Sequence, residues 1–300
     1  MSVQIPYVRE IDVAYGRPDQ VSPRIRRVIA KNPGPFTFTG TGTYIVGRGE
    51  VAVIDPGPAM GEHLEALMAA LDGERVTHIL VTHTHLDHSP LARPLARETG
   101  APILAAAPPQ PLGGGDVKTE EDSDETFRPD VILAGGERVT GPDWTLEAMA
   151  TPGHASNHMA FALIEENALF SGDHVMGWST TVVNPPDGDM AAYYASLKAV
   201  MARDFATLWP THGPPVTEVK PFLDAYLAHR LDRERQILEQ IAQGRGRIAE
   251  MVPVIYAQVD SRLWPAASCS VLAHLIDLER RGVVSSGGEA GIGSVYRLRA

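Results

Sequence analysis

The chain has 300 residues, a formal net charge of −11 at pH 7 and a hydrophobic fraction of 44 %. These values are typical of a globular protein with one large domain, or with a large domain and a small one. The acidic balance disfavours a large nucleic-acid interface, because such an interface needs a basic face. The single cysteine, Cys269, excludes an intramolecular disulfide and a cysteine-rich zinc site.

The sequence shows neither a membrane span nor a secretory signal. No apolar stretch approaches the ~18 residues that a spanning helix needs, and residues 1–20 mix proline, arginine and acids. We therefore expect a cytoplasmic protein with no membrane segment. From Pro221 onward, ten arginines are balanced by nine acids and there is no lysine, so the acidic charge lies in the first 220 residues.

Residues 1–220 alternate short apolar segments with glycine and proline, a pattern that predicts strands separated by turns. A first set of elements has strands at 25–30, 43–46, 51–54, 79–81 and 103–105, with helices at 62–71 and 89–99. A second, partly antiparallel sheet is predicted from 131–133, 144–149, 159–164, 168–170 and 207–209, with a helix at 191–201. Because strands and helices occur twice in this order, we expect an α/β fold with two packed sheets and helices outside. Segment 108–129 is rich in proline, glycine and acids, which predicts an irregular loop, either a flap near a site or mobile.

The last 80 residues have a different, mainly helical pattern. Helices are predicted at 222–241, 248–257 and 266–281, followed by a hairpin from 282–284 and 294–298. Three helices and a hairpin indicate a winged-helix-like module. We therefore divide the chain into a domain of residues 1–220 and a small domain of residues 221–300.

Three histidines and an aspartate lie within six residues, directly after the apolar run 79–81. Because side chains alternate along an extended backbone, His83 and His85 point the same way, while Asp87 and His88 fall on the following turn. Without a ligand, such a cluster would carry a desolvation cost with nothing to offset it. Imidazole and carboxylate groups together predict two neighbouring metal ions, with zinc favoured and iron or manganese as alternatives.

Three later residues with metal-binding side chains also follow predicted strands. His154 stands in TPGH, Asp173 in SGD and His212 in PTHG, each beside a glycine or proline that lets the backbone turn. Alone, each is most often an ordinary turn residue. Together with the first cluster they supply the two histidines and the carboxylate that a pair of ions still needs.

The complete set of motifs resembles the metallo-β-lactamase superfamily, whose pattern is an early aspartate, HxHxDH, a later histidine, an aspartate and a last histidine. The resemblance covers about the first 220 residues and implies a four-layer αββα sandwich. It implies that one zinc ion is held by His83, His85 and His154, and the other by Asp87, His88 and His212. Asp173 would bridge the two ions, and Asp55 would orient a ligand from outside.

The C-terminal segment resembles the winged-helix extension of the β-lactamase-like protein 2 group, which includes a mitochondrial endoribonuclease. The helical tail of glyoxalase II is the alternative, but the hairpin after Gly282 fits it poorly. Histidines outside the ligand set are less informative: His158 contacts substrate, supports a ligand or is structural, and His174 is expected in the cleft wall.

The resemblance implies a dinuclear-zinc hydrolase that uses metal-bound hydroxide and needs no nucleophilic serine or cysteine. Asp87 is the predicted catalytic residue. A small ester, thioester or lactone is the favoured substrate class, because neutral substrates suit the acidic charge. RNA stays open as the alternative, since five arginines of the tail could form a patch: Arg230, Arg233, Arg235, Arg245 and Arg247. A transcription factor is disfavoured because the tail is almost neutral, and a homodimer stays open.

Overall fold

The computed structural model describes residues 4–109 and 122–299, and the first half of the chain forms a seven-stranded sheet with its strands in chain order. The strands are β1 (Asp19–Gln20), β2 (Ile25–Ile29), β3 (Gly42–Arg48), β4 (Glu50–Ile54), β5 (Arg75–Leu80), β6 (Ile103–Ala105) and β7 (Val131–Ile132). Strands β1 to β4 pair antiparallel, and β4 to β7 pair parallel. Parallel neighbours need a crossover connection, which α1 (Gly61–Ala70) and α2 (Ala92–Thr99) provide on either side of β5.

The second sheet has five strands in the order β12-β11-β10-β9-β8. They are β8 (Arg138–Thr140), β9 (Thr145–Ala150), β10 (Met159–Leu163), β11 (Ala168–Gly172) and β12 (Thr207–Pro210). Only the β11–β12 pair of this sheet is parallel, and α3 (Met190–Met201) connects these two strands. A 3-10 turn, Ile164–Glu166, joins β10 to β11.

The two sheets pack face to face because their central strands are apolar on both sides. In β10, Phe161 enters the core between the sheets, whereas Ala160 and Ala162 enter the core beneath α3. In β4, Ile54 faces the other sheet and Val53 faces α1 and α2. Three separate apolar cores therefore stack between four layers, which confirms the predicted αββα sandwich.

The C-terminal region is built on the long helix α4 (Val219–Ala242). Its first half contributes Phe222 and Tyr226 to the core beneath α3, and its second half contributes Ile237 and Ile241 to a separate core. That core is completed by α5 (Ile248–Ile255), a 3-10 turn (Ser261–Leu263), α6 (Trp264–Arg280) and the antiparallel pair β13 (Val284–Ser285) and β14 (Arg297–Leu298). Three helices and a hairpin thus form the expected small module.

One strand of the predicted second sheet belongs to the first. The segment predicted as strand 131–133 pairs parallel with β6 as β7. The preceding Asp130 fixes it there, because its carboxylate accepts a hydrogen bond from Ile103 N at 2.8 Å and pairs with Arg93 at 3.0 Å. Strand β8 was not predicted from the sequence. Helix α2 begins at Ala92 rather than at residue 89, because the backbone of Leu91 bonds to Gly57 O at 3.1 Å instead.

The predicted loop 108–129 is described only in part, since residues 110–121 lie outside the described residues. The part that follows lies against the histidine-rich loop: Asp124 N donates to Thr84 O at 2.6 Å, and Leu86 N donates to Asp122 O at 3.0 Å. In the described ranges, no helix has the length and apolar character needed to cross a bilayer.

Candidate metal centre

The seven predicted ligands lie on four loops, each of which follows the carboxyl end of a strand. The loop after β5 carries the first four, and the loops after β9, β11 and β12 carry His154, Asp173 and His212. Strands β4 and β5 are parallel, as are β11 and β12, so their ends meet at one edge of the sandwich. Backbone contacts tie the two sheets there, because Met159 N donates to Thr82 O at 2.7 Å.

Three histidines form one group of converging nitrogen atoms. His83 Nε2 lies 2.9 Å from His85 Nδ1, and His154 Nε2 lies 3.2 Å from the same atom. All three side chains are buried. Three imidazole nitrogens at such distances can surround one metal ion.

A second group contains two histidines and two carboxylates. Asp87 Oδ2 lies 3.0 Å from His212 Nε2 and 3.4 Å from His88 Nε2. Asp173 Oδ2 lies 3.4 Å from His212 Nε2, 3.6 Å from His88 Nε2 and 3.8 Å from His154 Nε2. Asp173 is therefore within reach of both groups, as a bridging ligand would be.

The ligand atoms of three triplets lie within 4.8 Å of one another: His83, His85 and His154; His83, His88 and Asp173; and Asp87, His88 and His212. The triplets share members, so the two predicted ion positions adjoin. The structure brings all seven predicted ligands together.

Hydrogen bonds at the far side of two ligand rings leave a lone pair directed at the centre. His154 Nδ1 donates to Val182 O at 2.7 Å, and His212 Nδ1 donates to Gly40 O at 3.3 Å. A carbonyl oxygen can only accept, so Nδ1 carries the hydrogen and Nε2 of the neutral ring has the free lone pair. This is the ring orientation that a metal-binding histidine needs.

Asp55 organises the other side of the cluster. Its carboxylate accepts hydrogen bonds from His88 Nδ1 at 2.9 Å, Thr82 N at 2.7 Å, Thr82 Oγ1 at 2.8 Å and Thr211 Oγ1 at 3.0 Å. Since the Thr82 hydroxyl gives its hydrogen to Asp55, it accepts from His83 Nδ1 at 3.0 Å. Asp55 thus fixes the orientation of two ligand rings without reaching the centre itself.

The carboxylates of the cluster change the pKa values of the neighbouring histidines. Burial lowers the pKa of His212, but Asp173 and Asp87 outweigh this effect and raise the pKa to about 10. The same carboxylates, with Asp55, raise the pKa of His88 well above its ordinary value despite burial. Burial and the neighbouring imidazoles hold the pKa of His83 well below the ordinary value. The carboxylates thus favour positive charge at this position, which divalent cations would supply in place of protons.

Two buried atoms of the cluster also lack a partner within the described chain: His88 Nε2 and Asp173 Oδ1. Buried polar atoms without partners are costly, and a coordinated cation satisfies them. The donor set of five imidazoles and two carboxylates suits zinc, and it also accommodates iron or manganese. The residues present therefore fit a pair of divalent ions.

Comparison with known proteins agrees with this geometry. Residues 37–212 match the metallo-beta-lactamase superfamily. The chain belongs to this superfamily. Residues 248–292 match the beta-lactamase associated winged helix domain, which confirms the prediction for the C-terminal module. The chain is accordingly a metal-dependent hydrolase of the metallo-β-lactamase superfamily, as the motifs predicted.

Relatives within the superfamily resemble most of the chain. A beta-lactamase-like protein 2 homolog of Caenorhabditis elegans is 31 % identical over 75 % of this chain and 73 % of its own length. An atrochrysone carboxyl ACP thioesterase of Paecilomyces divaricatus is 34 % identical over 82 % of this chain and 76 % of its own. The crystal structure of a beta-lactamase domain protein from Burkholderia ambifaria, 22 % identical, superposes with a TM-score of 0.76 over 97 % of this chain and 96 % of that one.

Several supporting residues of this superfamily member were not predicted. Thr82 and Thr211 each precede a predicted ligand, and their hydroxyls bind Asp55. The repeated order of threonine before histidine was the only signal available. His158 had three open roles in the sequence analysis, and it supports a ligand: Nε2 accepts from Asp173 N at 3.1 Å, and Nδ1 donates to Thr151 Oγ1 at 2.8 Å.

His174 packs inside the sandwich. It is fully buried, its ring lies 4.9 Å from that of Tyr193, and it does not line the cavity that opens onto the ligand cluster in the described chain. The cleft-wall position expected for His174 therefore has no support in the described chain. This histidine is part of the scaffold that holds Asp173.

A cavity of about 280 Å³ opens onto the cluster. Asp87, Asp173, His85 and His212 line its inner end, and the loop 34–37 lines the opposite wall. Asp87 has a side chain that is 24 % exposed, whereas that of Asp173 is 7 % exposed. Asp87 is thus the carboxylate of the cluster best placed to meet a substrate or water.

We expect that replacing Gly153 with alanine destabilises the protein by about 3 kcal/mol or more, because steric overlap adds to backbone strain. Gly153 precedes His154 and has φ +141°, and a Cβ there would lie 2.4 Å from Tyr193 Cα. Gly73 is the matched control, since its φ is +74° but a Cβ at this position would meet no atom beyond its chain neighbours within 4 Å. Gly73→Ala should cost only about 1 kcal/mol. Urea unfolding of both variants checks this, and equal losses would contradict it.

Proposed function

We propose that the protein is a dinuclear-zinc hydrolase that cleaves acyl thioesters. The convergence of seven ligand atoms at one edge of the sandwich carries this proposal. His83, His85 and His154 would hold one ion, Asp87, His88 and His212 the other, and Asp173 would bridge them. Two further predictions from the sequence are retained, namely a domain boundary between residues 220 and 221 and a cytoplasmic location. Whether the protein forms a homodimer stays open.

When bound, a pair of zinc ions would supply a water nucleophile near neutral pH and would offset the charge that develops on the attacked carbonyl. The chain's own residues do the positioning. Asp55 holds the His88 ring, Val182 O holds the His154 ring, and His158 holds the backbone at Asp173. Asp87 is exposed to the cavity and is the group that would exchange a proton with the substrate or water.

The name of one relative supports thioesters over other small acyl compounds as the substrate. The relative from Paecilomyces divaricatus is named as an atrochrysone carboxyl ACP thioesterase, and its similarity covers 82 % of this chain. The metal-site cavity is narrow, with a volume of about 280 Å³, and the loop 34–37 closes one side. A cleft of this kind admits an extended small molecule more readily than a folded polynucleotide.

Cleavage of RNA remains the alternative, but four of the five arginines predicted as a patch are buried or already bonded to neighbouring groups, and Arg233 is left isolated from them. Arg230 is buried, and Arg235 pairs with Asp232 and Glu239. Arg245 bonds to glutamine side chains, and Arg247 bonds to Gly293 O at 3.2 Å. A continuous row of free cations, which phosphate binding requires, is therefore not formed by these arginines.

A substrate panel tests the proposal. The protein is purified without chelator, its metal content is measured by mass spectrometry, and it is assayed on an acyl thioester, the matching oxygen ester, a lactone and single-stranded RNA. We expect about two zinc ions per chain, in keeping with a two-metal site, and preferred turnover of the thioester. Chelation should abolish turnover and added zinc should restore it.

Contaminating enzymes are controlled for by an Asp87→Ala variant purified in the same way. Turnover that survives undiminished in this variant and also resists chelation belongs to another protein. Salt-sensitive RNA cleavage that disappears in the variant, without thioester turnover, would replace the proposal with the nuclease alternative. Absence of bound metal with retained turnover would contradict the metal assignment.

A further inference from the structure

A second, larger cavity of about 490 Å³ lies between the catalytic sandwich and the C-terminal module. Aromatic side chains form much of its wall, among them Phe36, Phe38 and Trp178 from the sandwich and Tyr256 after α5. Phe38 and Trp178 stack with their ring centroids 4.8 Å apart. Its volume is within the range of roughly 300–1,000 Å³ that small-molecule sites occupy. Flat apolar walls of this kind suit an aromatic group.

Three residues that line the cavity also carry hydrogen-bond donors that have no acceptor in the described chain. Trp178 Nε1, Arg230 Nε and Arg233 Nε are buried without partners in the described chain, and all three residues line the cavity. The lining residues within the described ranges include no aspartate or glutamate. Nor do Arg9, Arg230 or Arg233 form an ion pair with a described acid. Buried donors and unpaired guanidinium groups favour a ligand with an anionic or acceptor-rich group.

Neighbouring groups fix the position of the Arg233 side chain in the cavity wall. Its Nη1 donates to Gln236 Oε1 at 2.7 Å and to Ile255 O at 3.1 Å, and its guanidinium lies 4.3 Å from the Tyr256 ring centroid. A side chain fixed in this way loses little conformational entropy when it binds an anion. Arg230 instead donates to Thr181 O and is fully buried, so it supports the wall.

The large cavity adjoins the metal centre. Pro35 and Phe36 line both cavities. Thr181 and Val182, which line the large cavity, also hold the metal centre: Thr181 Oγ1 donates to Asp173 O at 2.7 Å, and Val182 O accepts from His154. The two cavities therefore share part of their wall, and a ligand in the large cavity lies next to the metal-site cavity.

We infer that this cavity binds the acyl part of the thioester, and that this acyl part is aromatic and carries an anionic group bound by Arg233. The inference rests on the proposed thioester hydrolysis. It gives the C-terminal module a role in substrate selection, because Arg233, Tyr256 and Ala266 all come from that region.

Paired substrates test the inference. We compare the thioesters of 2-naphthoic acid and of 6-carboxy-2-naphthoic acid, which differ only in a distal carboxylate. Arg233→Gln should raise KM for the carboxylated thioester by about tenfold or more, the equivalent of one charge-assisted hydrogen bond, with kcat and the neutral thioester unchanged. Arg235→Gln is the matched control, because Arg235 lies on the same helix, is paired with acids and does not line the cavity.

A binding measurement separates this inference from the proposed function. We titrate 8-anilinonaphthalene-1-sulfonate, an aromatic anion, and N-phenyl-1-naphthylamine, its neutral counterpart, into the folded protein. Arg233→Gln should weaken binding of the anion by about tenfold and leave the neutral probe unchanged. Ala266→Trp should weaken both, because the new side chain fills the cavity. Circular dichroism checks that each variant is folded.

The results of the kinetic and binding experiments lead to different conclusions. Equal binding of the anion by the wild type, Arg233→Gln and Ala266→Trp would overturn the inference. A KM effect of Arg233→Gln that is the same for both thioesters would also overturn it. A wild type that binds the anion through Arg233 but hydrolyses no thioester would overturn the acyl assignment together with the proposed function, and would leave an anion-binding cavity.

Discussion

Replacing Asp87 with alanine is expected to lower kcat by about 10²- to 10⁴-fold, the range that a positioned proton-transfer group contributes. The loss would be larger still if an ion leaves the site with the carboxylate. The fold should survive, because Asp87 lies on a loop, its side chain is 24 % exposed, and it belongs to none of the apolar cores. Steady-state kinetics and thermal unfolding of the same preparation check both parts.

Asp72→Ala is the matched control for this substitution, since Asp72 is an exposed aspartate just after α1 and away from the cluster. Its kinetics should equal those of the wild type. Retained turnover in Asp87→Ala would show that the chemistry lies elsewhere. Unfolding of Asp87→Ala would show that the loop after β5 contributes to the stability of the fold as well as to catalysis.

Replacing Asp55 with alanine is expected to lower the free energy of unfolding by about 3–5 kcal/mol, because it leaves several buried donors without an acceptor. Asp55 is fully buried and accepts four hydrogen bonds from Thr82, His88 and Thr211. Metal affinity should also fall by about 10- to 100-fold, as it does when a group that orients a metal-binding histidine is removed.

Thr211→Val is the graded control for Asp55, because it removes one of the four hydrogen bonds and nearly preserves the side-chain volume. It should cost about 0.5–1.5 kcal/mol. Denaturant unfolding of the chelator-treated proteins measures stability apart from metal binding, and competition with a zinc-binding dye measures affinity. A loss in Asp55→Ala no larger than that in Thr211→Val would refute the central role of this carboxylate.

The predicted ligands were recognisable because their signals are local. His83, His85, Asp87 and His88 share one loop, and each later ligand follows an apolar strand beside a glycine or proline. The strands themselves were also largely recognisable, since β4 and β10 are apolar on both faces and bounded by turn residues. Identification of the superfamily and of the sandwich followed from these local patterns.

Features that depend on distant partners could not be predicted. The placement of β7 beside β6 depends on Asp130, whose carboxylate contacts Ile103 and Arg93. The role of Thr211 depends on Asp55, which is 156 positions away in the chain. A short strand or a lone threonine carries no local mark of such partners.

The amino-acid pattern alone established a metal-binding sandwich followed by a helical module, because apolar periodicity and clustered ligand-type side chains are properties of short segments. Only the folded chain decided which of its open roles His158 takes, and that Arg233 lines a cavity between the sandwich and the C-terminal module. These features arise where strand ends and helices from separate parts of the chain meet. Their distances are determined by packing of the sheets and helices, which no single segment encodes.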